Sequence, residues 1–485
     1  MYSSPRIFGL LTVLAMGGCL SMAPDFERPA SPVADIYPIP SAGLSESAAL
    51  AAEVDWQHFY RDPQLRLLID QALANNRDLR IAAQRVEEAR ALYGIRRADR
   101  VPHFNVGANG VRTRVPGDLN VTGEPQVQGE YRAGLTLTPW ELDFWGRVRN
   151  LSEAARQSFL STESAERAAR LSLIAQLADN WLRLRELDGR LLVALETVAT
   201  RAESFRILKQ RVDAGATSRL DLVQVETLLR QSQLLNVQLE QARASQIHLL
   251  TLLVGAPLDP RLIPVTTPAQ AGEDLLRADL LANFAVGLPS DLLIHRPDIV
   301  AAEHQLRAAN ANIGAARAAF FPNITLTGMA GTASAELGNL FQAGSGAWTL
   351  APVLSLPIFE GGRNVASLDL AEARRSVAVA TYEQSIQLAF RDVADALTAR
   401  QWLADQITIQ QAELDAQRER VRMTQLRYDL GATRYFEVLD AQRDLLSAGQ
   451  QLIQVRREFL SSQVRLYNAL GGSNAVIAAT PEPRP

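Results

Sequence analysis

Long parts of the chain place apolar residues at alternating gaps of three and four. The pattern runs from Val225 to Leu253, from Val379 to Ile407 and from Val438 to Ala469, and most of its positions are apolar. Residues at such gaps lie on one face of a helix and pack as in a coiled coil. The pattern therefore predicts long α-helices that bury one face against one another.

The placement of proline indicates how long these helices are. No proline lies between Pro139 and Pro257 or between Pro357 and Pro481. Because proline breaks the interior of a helix, both stretches are predicted to be largely helical. The uninterrupted run from Arg147 to Asp213 would be about 100 Å long at about 1.5 Å per residue, which is longer than a globular domain needs.

The two stretches are copies of one another. Arg211–Thr217 matches Arg427–Thr433 at an offset of 216 residues (427 − 211), and Asp78–Pro102 matches Asp298–Pro322 at an offset of 220 (298 − 78). The chain is therefore predicted to be a tandem duplication. Each copy has one glycine that permits a left-handed backbone and ends a helix, Gly215 or Gly431 in the matched segments. Each copy is therefore predicted to form a helical hairpin.

Between the predicted helices, two segments alternate as strands do. His103–Pro116 and Gln126–Pro139 form one candidate strand pair, and Asn323–Ala335 and Ala347–Leu356 form the other. The two pairs occupy the same place in each copy. The sequence thus predicts four strands per chain.

Aromatic residues accompany these strands. Trp140 and Trp145 lie where strand gives way to helix, and Trp348 lies in the last strand. Such residues are typical of the interface between membrane and water, and two soluble hairpins with surface aromatics are the alternative. Four strands cannot close a barrel, and open edges are not tolerated in lipid. A membrane protein of this kind would need two, three or four chains to share eight, twelve or sixteen strands, and the pattern does not choose among them.

The first residues have the features of a secretory leader. Arg6 precedes the apolar run Ile7–Met16, which is shorter than a membrane span, and Met16-Gly-Gly-Cys19 is similar to a bacterial lipobox. We expect a signal peptide over residues 1–18 and a lipid on Cys19; an unmodified Cys19 is the alternative. Leu20, in place of the aspartate that retains lipoproteins in the inner membrane, favours the outer membrane. No other segment predicts a transmembrane helix.

Composition excludes several classes of function. Lys+Arg number 49 and Asp+Glu 53, for a net charge of −4, so no basic surplus favours nucleic acid as a partner. The single cysteine and five scattered histidines predict no metal site and no cofactor. There is no P-loop, GxSxG, HExxH or GxGxxG motif, so we do not expect an enzyme.

Several segments carry a resemblance to a known family. They are the lipobox, Pro24–Pro29 (PDFERP), Leu288–Asp298 (LPSDLLIHRPD) and Ala316–Pro322 (ARAAFFP), within two repeats of helix, strand pair, long helix, glycine turn and helix. In these features the chain resembles the outer-membrane efflux lipoproteins of the OprM/NodT branch of the TolC family. The resemblance implies a mainly α fold with a transmembrane β-barrel. Four strands per chain would join a twelve-strand barrel in a homotrimer, and the duplicated long helical hairpins would form an α-barrel across the periplasm.

The same resemblance implies a function and partners. The chain would be the outer-membrane channel of a tripartite efflux pump of RND type, a passive exit duct for drugs or other small solutes. A periplasmic adaptor protein, an inner-membrane transporter and outer-membrane lipid would be its partners. It would be lipid-anchored in the outer membrane of a Gram-negative bacterium and extend into the periplasm.

The predicted segments follow in order along the chain. They are the signal peptide (1–18), lipid anchor, equatorial segment and leading helix (19–101), first β-hairpin (102–145), first long helical hairpin (146–255), equatorial link and second leading helix (256–321), second β-hairpin (322–361), second long helical hairpin (362–471) and C-terminal tail (472–485).

Acidic residues follow both predicted turns. Asp221 lies six residues after Gly215, and Glu437 and Asp440 lie six and nine residues after Gly431, on one helix face. In a trimer each becomes a ring of three carboxylates, which we expect to narrow the entrance and select the solutes that pass. The alternative is that these acids only complement the helix dipole.

The resemblance also assigns roles near the turns. It maps the acidic constriction of the family's closed entrance onto Glu437 and Asp440. It maps Asp221 and Tyr428 onto the network that holds neighbouring hairpins together.

The position of the family's tip arginine is occupied by Thr433, and Arg434 lies one residue later. The ion pair that would lock the entrance is therefore left open. A lipid-anchored periplasmic coiled-coil adaptor or scaffold without a pore is the alternative function, although it does not account for the duplicated strand pairs.

Overall fold

The computed structural model describes residues 21–38, 49–263 and 280–472. The predicted signal peptide, Cys19 and most of the predicted C-terminal tail lie outside these residues. In chain order, the helices and strands are α1 (Trp56–Phe59), α2 (Pro63–Asn75), α3 (Arg77–Ala98), β1 (Phe104–Val115), β2 (Gln126–Glu141), α4 (Arg147–Asp213), α5 (Arg219–Val254), α6 (Leu292–His295), α7 (Pro297–Ala318), β3 (Asn323–Ser334), β4 (Gly346–Ser355), α8 (Arg363–Asp429) and α9 (Tyr435–Ala469).

The duplication predicted from the sequence is confirmed by the lengths of the elements. Helices α4 and α8 each have 67 residues, and α3 and α7 each have 22. Strands β1 and β3 each have 12. None of the described helices carries an apolar run long enough to cross a membrane.

The chain forms two compact units, and each unit draws on both copies of the duplication. Among the described residues, the first contains 21–30, 85–163 and 301–383, and the second contains 31–38, 49–84, 164–263, 280–300 and 384–472. The boundary falls within α3, α4, α7 and α8. The units therefore cut across the segments predicted from the sequence.

The first unit contains a four-stranded antiparallel sheet with the order β1-β2-β3-β4. The two predicted hairpins are present, and the pairing of β2 with β3 joins the two copies. Strand β2 continues past the predicted end at Pro139 to Glu141, with a shift of register between Leu137 and Trp140. An extra residue on one strand is the signature of a β-bulge, which accounts for a proline inside the strand.

One face of this sheet is apolar across the strands. Directly paired residues on it include Val106 with Leu135, and Leu326 with both Trp140 and Pro352. Large apolar side chains of the sheet are exposed, including Phe104, Val106, Leu135, Trp348, Leu350 and Leu354. Because paired residues in an antiparallel sheet point to the same face, this face offers a continuous apolar surface.

An extended segment near the N-terminus of the first unit is held against its helices. The guanidinium of Arg28 donates hydrogen bonds to both carboxylate oxygens of Glu303 at 3.0 and 2.9 Å. Asn310 donates to the carbonyl of Pro24 at 2.7 Å, and the guanidinium of Arg307 lies 4.8 Å from the ring centroid of Phe26. Residues that closely follow the predicted lipid site are therefore packed on α7.

The second unit contains the parts of the long helices that lead to the hairpin turns. Helix α4 packs on α5 through Leu187, Leu191, Ala194 and Leu239. Helix α8 packs on α9 through Leu414, Ala448 and Leu452.

Polar contacts join α4 to α9 in the same unit. The guanidinium of Arg190 donates to Gln450 at 2.6 Å, and Gln450 donates to the carbonyl of Arg190 at 2.9 Å. The buried carboxylate of Glu186 accepts from Arg190 and from Arg457 of α9. Helix α4 therefore packs on both α5 and α9, and α9 also contacts α5 and α8.

A small aromatic cluster forms another part of the second unit. The rings of Phe59 and Tyr467 are stacked with centroids 4.0 Å apart, and the Tyr467 hydroxyl donates to the carbonyl of Val54 at 2.6 Å. Phe284 packs on Phe59 with ring centroids 5.6 Å apart. The cluster thereby joins the segments around residues 54–60 and 281–286 to the end of α9.

Candidate functional site at the hairpin turns

The turn between α4 and α5 is built by backbone hydrogen bonds and one glycine. The amide of Ala216 donates to the carbonyl of Arg211 at 2.8 Å, and the amide of Gly215 donates to that of Val212 at 2.9 Å. This pair of bonds is a Schellman motif, which requires a left-handed residue. Gly215 supplies it with φ of 73°.

The turn between α8 and α9 repeats this geometry. Ala432 donates to the carbonyl of Arg427 at 2.8 Å, and Gly431 donates to that of Tyr428 at 2.9 Å. Gly431 also has φ of 73°. The two turns therefore have the same backbone geometry, with a left-handed glycine in each.

The helices that leave the two turns begin differently. In α5 the hydroxyl of Ser218 accepts from the amide of Leu220 at 3.0 Å, and the hydroxyl of Thr217 donates to the carboxylate of Asp221 at 3.3 Å. In α9 the capping position is occupied by Arg434, whose side chain makes no capping bond. The buried hydroxyl of Thr433 has no hydrogen-bond partner among the described residues.

The two turns are in contact with each other. The guanidinium of Arg211 donates to the hydroxyl of Tyr428 at 2.7 Å, and the ring of Tyr428 lies 4.8 Å from that of Tyr435. Burial raises the pKa of Tyr435 above its ordinary value, so this phenol stays neutral. Leu208, Val225 and Leu439 form an apolar cluster beside these rings.

The structure thus gives Tyr428 a partner that the sequence did not predict. Within the described chain, Tyr428 contacts Arg211 and Asp221 contacts Thr217. The two members of the predicted network are not brought together in one chain. Arg211 is the duplication partner of Arg427, and this match is the one signal in the sequence that singles it out.

Asp440 belongs to a compact set of two arginines and two aspartates. Arg420 donates to Asp440 at 2.7 Å and to Asp444 at 2.6 Å. Arg443 donates to Asp440 at 2.6 Å and to Asp444 at 3.0 Å. We call Arg420, Asp440, Arg443 and Asp444 the arginine–aspartate cluster. Each carboxylate accepts from both guanidinium groups, so the charge of Asp440 is balanced within the chain.

The cluster holds one of its acids in the charged form. The hydrogen bond from Arg420 lowers the pKa of Asp444 below its ordinary value, and the hydrogen bond from Arg443 acts in the same direction. Hydrogen bonds and positive charge near a carboxylate favour its ionised form. Asp444 is therefore ionised throughout the neutral range of pH.

Glu437 is less firmly held. Its carboxylate lies 3.8 Å from the guanidinium of Arg427, and both side chains are more than half exposed. An exposed pair at this distance contributes little to stability. Glu437 is therefore held only weakly by this ion pair.

The sequence did not reveal Arg420 and Arg443 as partners of the acidic residues, and the reason is geometric. Arg443 lies three residues after Asp440, which is a visible helical spacing. Arg420 lies eleven residues before Gly431, and Asp440 and Asp444 lie nine and thirteen after it. Residues at equal distances from a hairpin turn face each other, so Arg420 becomes predictable only once the turn is placed at Gly431.

The predicted interface tryptophans lie in the first unit. The indole of Trp145 donates to the carbonyl of Pro322 at 2.9 Å and stacks on Phe321 at 4.8 Å. Trp140 lies inside β2, and Trp348 is 79 % exposed on β4. Within residues 21–38, 49–263 and 280–472, no group of three or more His, Cys, Asp or Glu residues could hold a metal ion.

The chain is similar to known proteins over most of its length. Residues 68–256 and 288–472 match the family model described as outer membrane efflux protein. The chain belongs to the outer membrane efflux protein family. It is 42 % identical over 470 residues to the solvent efflux pump outer membrane protein SrpC of Pseudomonas putida. The match covers 96 % of this chain and 98 % of that relative.

Solved structures of membrane proteins have the same fold. A membrane protein from Pseudomonas aeruginosa has a TM-score of 0.86 and 42 % identity, with 93 % of this chain and all of that chain covered. The open state of the Neisseria gonorrhoeae MtrE outer membrane channel has a TM-score of 0.83 and 35 % identity. The match covers 94 % of this chain and 99 % of that channel's chain.

These similarities confirm several predictions made from the sequence. The resemblance to the TolC family is correct, and the fold class is that of its efflux channels. The function is that of an outer-membrane efflux channel, and the location is the outer membrane of a Gram-negative cell. The family is one of channels rather than of known enzymes.

Proposed function

We propose that three copies of the chain form the exit duct of a tripartite efflux pump. Each copy contributes β1 to β4 to a twelve-strand barrel and its two long hairpins to a helical tunnel. A periplasmic adaptor protein and an inner-membrane transporter of RND type deliver drugs or other small solutes to it. The pump chooses the solutes, and the duct passes them.

The observation that carries this proposal is the sheet of the first unit. It has an exposed apolar face, and its outer strands β1 and β4 each pair on one side only within the described chain. Unpaired backbone groups are costly in lipid, so a membrane-spanning sheet must close. Four strands are too few to close on themselves. Copies of the chain supply the missing strands.

The turns between the long hairpins serve in this proposal as the gate of the periplasmic entrance. In the closed form, Arg211 holds Tyr428, and the arginine–aspartate cluster holds α8 against α9. Opening requires the two hairpins to move apart, which breaks the exposed Arg211–Tyr428 hydrogen bond and separates Leu439 from Leu208 and Val225. Glu437 and Asp440 of three copies line the constriction, and release of Asp440 from Arg420 and Arg443 exposes its charge to passing cations.

Other predicted residues fit the same assembly. A lipid on Cys19 anchors the segment that Arg28 and Asn310 hold on α7. Trp140, Trp145 and Trp348 mark the edges of the membrane. Asp221, Thr433 and Arg434 lie at the turns, where copies meet.

Recording in planar lipid bilayers tests the proposed duct. Purified protein in detergent should insert and give stepwise ion conductance, and Cys19→Ala protein should stay in the outer membrane and conduct equally. Release of Cys19→Ala protein into the soluble periplasmic fraction, without conductance from the native chain, would instead favour a lipid-anchored scaffold.

A further inference from the structure

The apolar face of the sheet carries two arginines near one end of β1. Alternate residues of a strand share a face, so Arg112 and Arg114 lie on the same face as Phe104 and Val106. Both arginine side chains are exposed. We call Arg112 and Arg114 the arginine pair. It turns the end of an apolar surface into a basic patch.

The neighbours of the arginine pair on β2 leave its guanidinium groups open. Arg112 is paired in register with Gly129, which has no side chain to cover it. Tyr131 lies on the same face, because a Cβ added to Gly110 would come within 2.7 Å of its ring. Tyrosine is typical of the boundary between membrane and water. The aromatic ring therefore lies between the apolar part of the face and the arginine pair.

The charge of the arginine pair is not balanced within the chain. Among the residues that the structure describes, neither guanidinium forms an ion pair or a side-chain hydrogen bond. The acid nearest in β2, Glu130, lies on the opposite face and pairs with Arg132. Each guanidinium has five N–H donors. These donors are available to an anion from outside the chain.

The position of the arginine pair along β1 matches one edge of a membrane. Strand β1 follows α3 and β2 leads into α4, so the link at residues 116–125 lies at the end of the sheet away from the helices. In the proposed duct this end is at the outer surface of the cell. The arginine pair is therefore on the side of the outer leaflet.

Distances along the strand support this level. Arg112 and Arg114 lie eight and ten residues after Phe104, which is about 26 and 33 Å at about 3.3 Å per residue. With a strand tilt of about 40°, these lengths become about 20 and 25 Å along the barrel axis, and the apolar band of such barrels is about 25 Å tall. Long arginine side chains extend further toward water. The guanidinium groups therefore lie at the depth of lipid head groups.

We propose that the arginine pair binds the phosphate groups of a glycolipid in the outer leaflet of the outer membrane. This inference rests on the proposed function, which places the apolar face in lipid. Guanidinium groups bind phosphate through two parallel hydrogen bonds. The acyl chains of the same molecule would lie on the apolar face beside Phe104 and Val106. A ligand with both phosphate and hydrocarbon fits this surface better than a free anion, which would use the arginines alone.

Native mass spectrometry of the detergent-solubilised protein tests the site, with diphosphorylated lipid A as the probe. Arg112→Gln/Arg114→Gln protein should bind this lipid about tenfold more weakly than the native chain, because both positive charges are lost. Arg132→Gln is the matched control, since Arg132 lies in the same hairpin on the opposite face, and it should bind as the native chain does. Equal binding by the double glutamine variant and the native chain would overturn the proposal.

A conservative variant separates recognition of phosphate from a loss of fold. Arg112→Lys/Arg114→Lys protein should bind more tightly than the double glutamine variant and more weakly than the native chain, because lysine keeps the charge but not the paired hydrogen bonds. A lysine variant that has the native mass and binds no better than the glutamine variant would contradict a phosphate site.

Two further probes distinguish the lipid from a free anion. Lipid A without its phosphates should bind the native chain about tenfold more weakly, and an excess of inorganic phosphate should not displace the diphosphorylated lipid. Equal binding of the two lipids would show that the arginines read no phosphate. Displacement by inorganic phosphate would assign the site to a free anion, and either result would overturn the proposal. If the native chain has the mass of one copy before any lipid is added, the proposed function itself fails.

Discussion

The guanidinium of Arg211 donates a hydrogen bond to the hydroxyl of Tyr428 at 2.7 Å, and in doing so joins the two hairpin turns of one chain. We expect Tyr428→Phe to loosen the closed entrance, because the ring stays and the hydrogen bond, worth about 1 kcal/mol, is lost. Single-channel recording should show a higher conductance or a larger open fraction. Arg206→Ala is the control, since Arg206 lies on α4 as Arg211 does and pairs with Glu203 on the surface of that helix. An unchanged Tyr428→Phe channel would exclude this contact from the gate.

The carboxylates after Gly431 provide a second prediction. Replacing Glu437 and Asp440 together with alanine should raise single-channel conductance and weaken block by divalent cations, because the carboxylates of both rings leave the constriction and Arg420 and Arg443 lose Asp440 as a partner. Asp415→Ala removes an exposed acid that pairs with Arg418 on α8 and should change neither property. If conductance and block are both unaltered in the double variant, these residues do not form the constriction.

The pKa of Asp444 leads to a prediction about pH. Since Arg420 lowers this pKa in the folded chain, the contact stabilises the fold fully above the ordinary value of 3.8. The stabilisation is lost as the pH falls below that value and through the lowered pKa. The closed entrance should therefore hold from pH 7 to pH 5 and loosen below about pH 4, as measured by conductance. Asp444→Asn should lose part of this acid response, and an identical response in both proteins would contradict the role of the cluster.

The left-handed backbone at the second turn can be tested by substitution. A Cβ at Gly431 would meet no atom within 4 Å, so the cost of Gly431→Ala comes from its positive φ and should be about 1–2 kcal/mol. Gly431→Asn should cost less, because asparagine adopts this conformation more readily. Thermal unfolding of the detergent-solubilised protein measures the difference. Gly94→Ala, at an open helical position in α3, should be neutral or stabilising. Equal melting temperatures for the alanine and asparagine variants of Gly431 would refute the explanation.

The parts of the fold that depend on local pattern could be predicted from the sequence. The run Arg147–Asp213 is one helix with those ends, because no proline interrupts it and Gly215 follows. The turn at Gly431 followed from its match with the turn at Gly215. The pairing of β2 with β3 could not be derived, since it joins residues about 200 positions apart and the alternation of each strand is satisfied by many partners.

The site was predicted only in part, for a related reason. Glu437 and Asp440 were visible because charged residues soon after a turn stand out in the sequence. The partners of Asp440 and Tyr428 come from other helices, Arg420 from α8 and Arg211 from α4. Long arginine side chains reach across to neighbouring helices. Their partners therefore depend on which helices pack together and on the position along the helix axis, rather than on the spacing of residues in the sequence. This is why the acids were found and the arginines that neutralise them were not.

The central claim is that one chain cannot close its own sheet and that three must share it. Native mass measurement of the detergent-solubilised protein tests this most directly. We expect a single species with three times the mass of the mature chain, after the mass of bound detergent is subtracted. A stable species with the mass of one chain, which remains in solution when detergent is removed, would contradict the account.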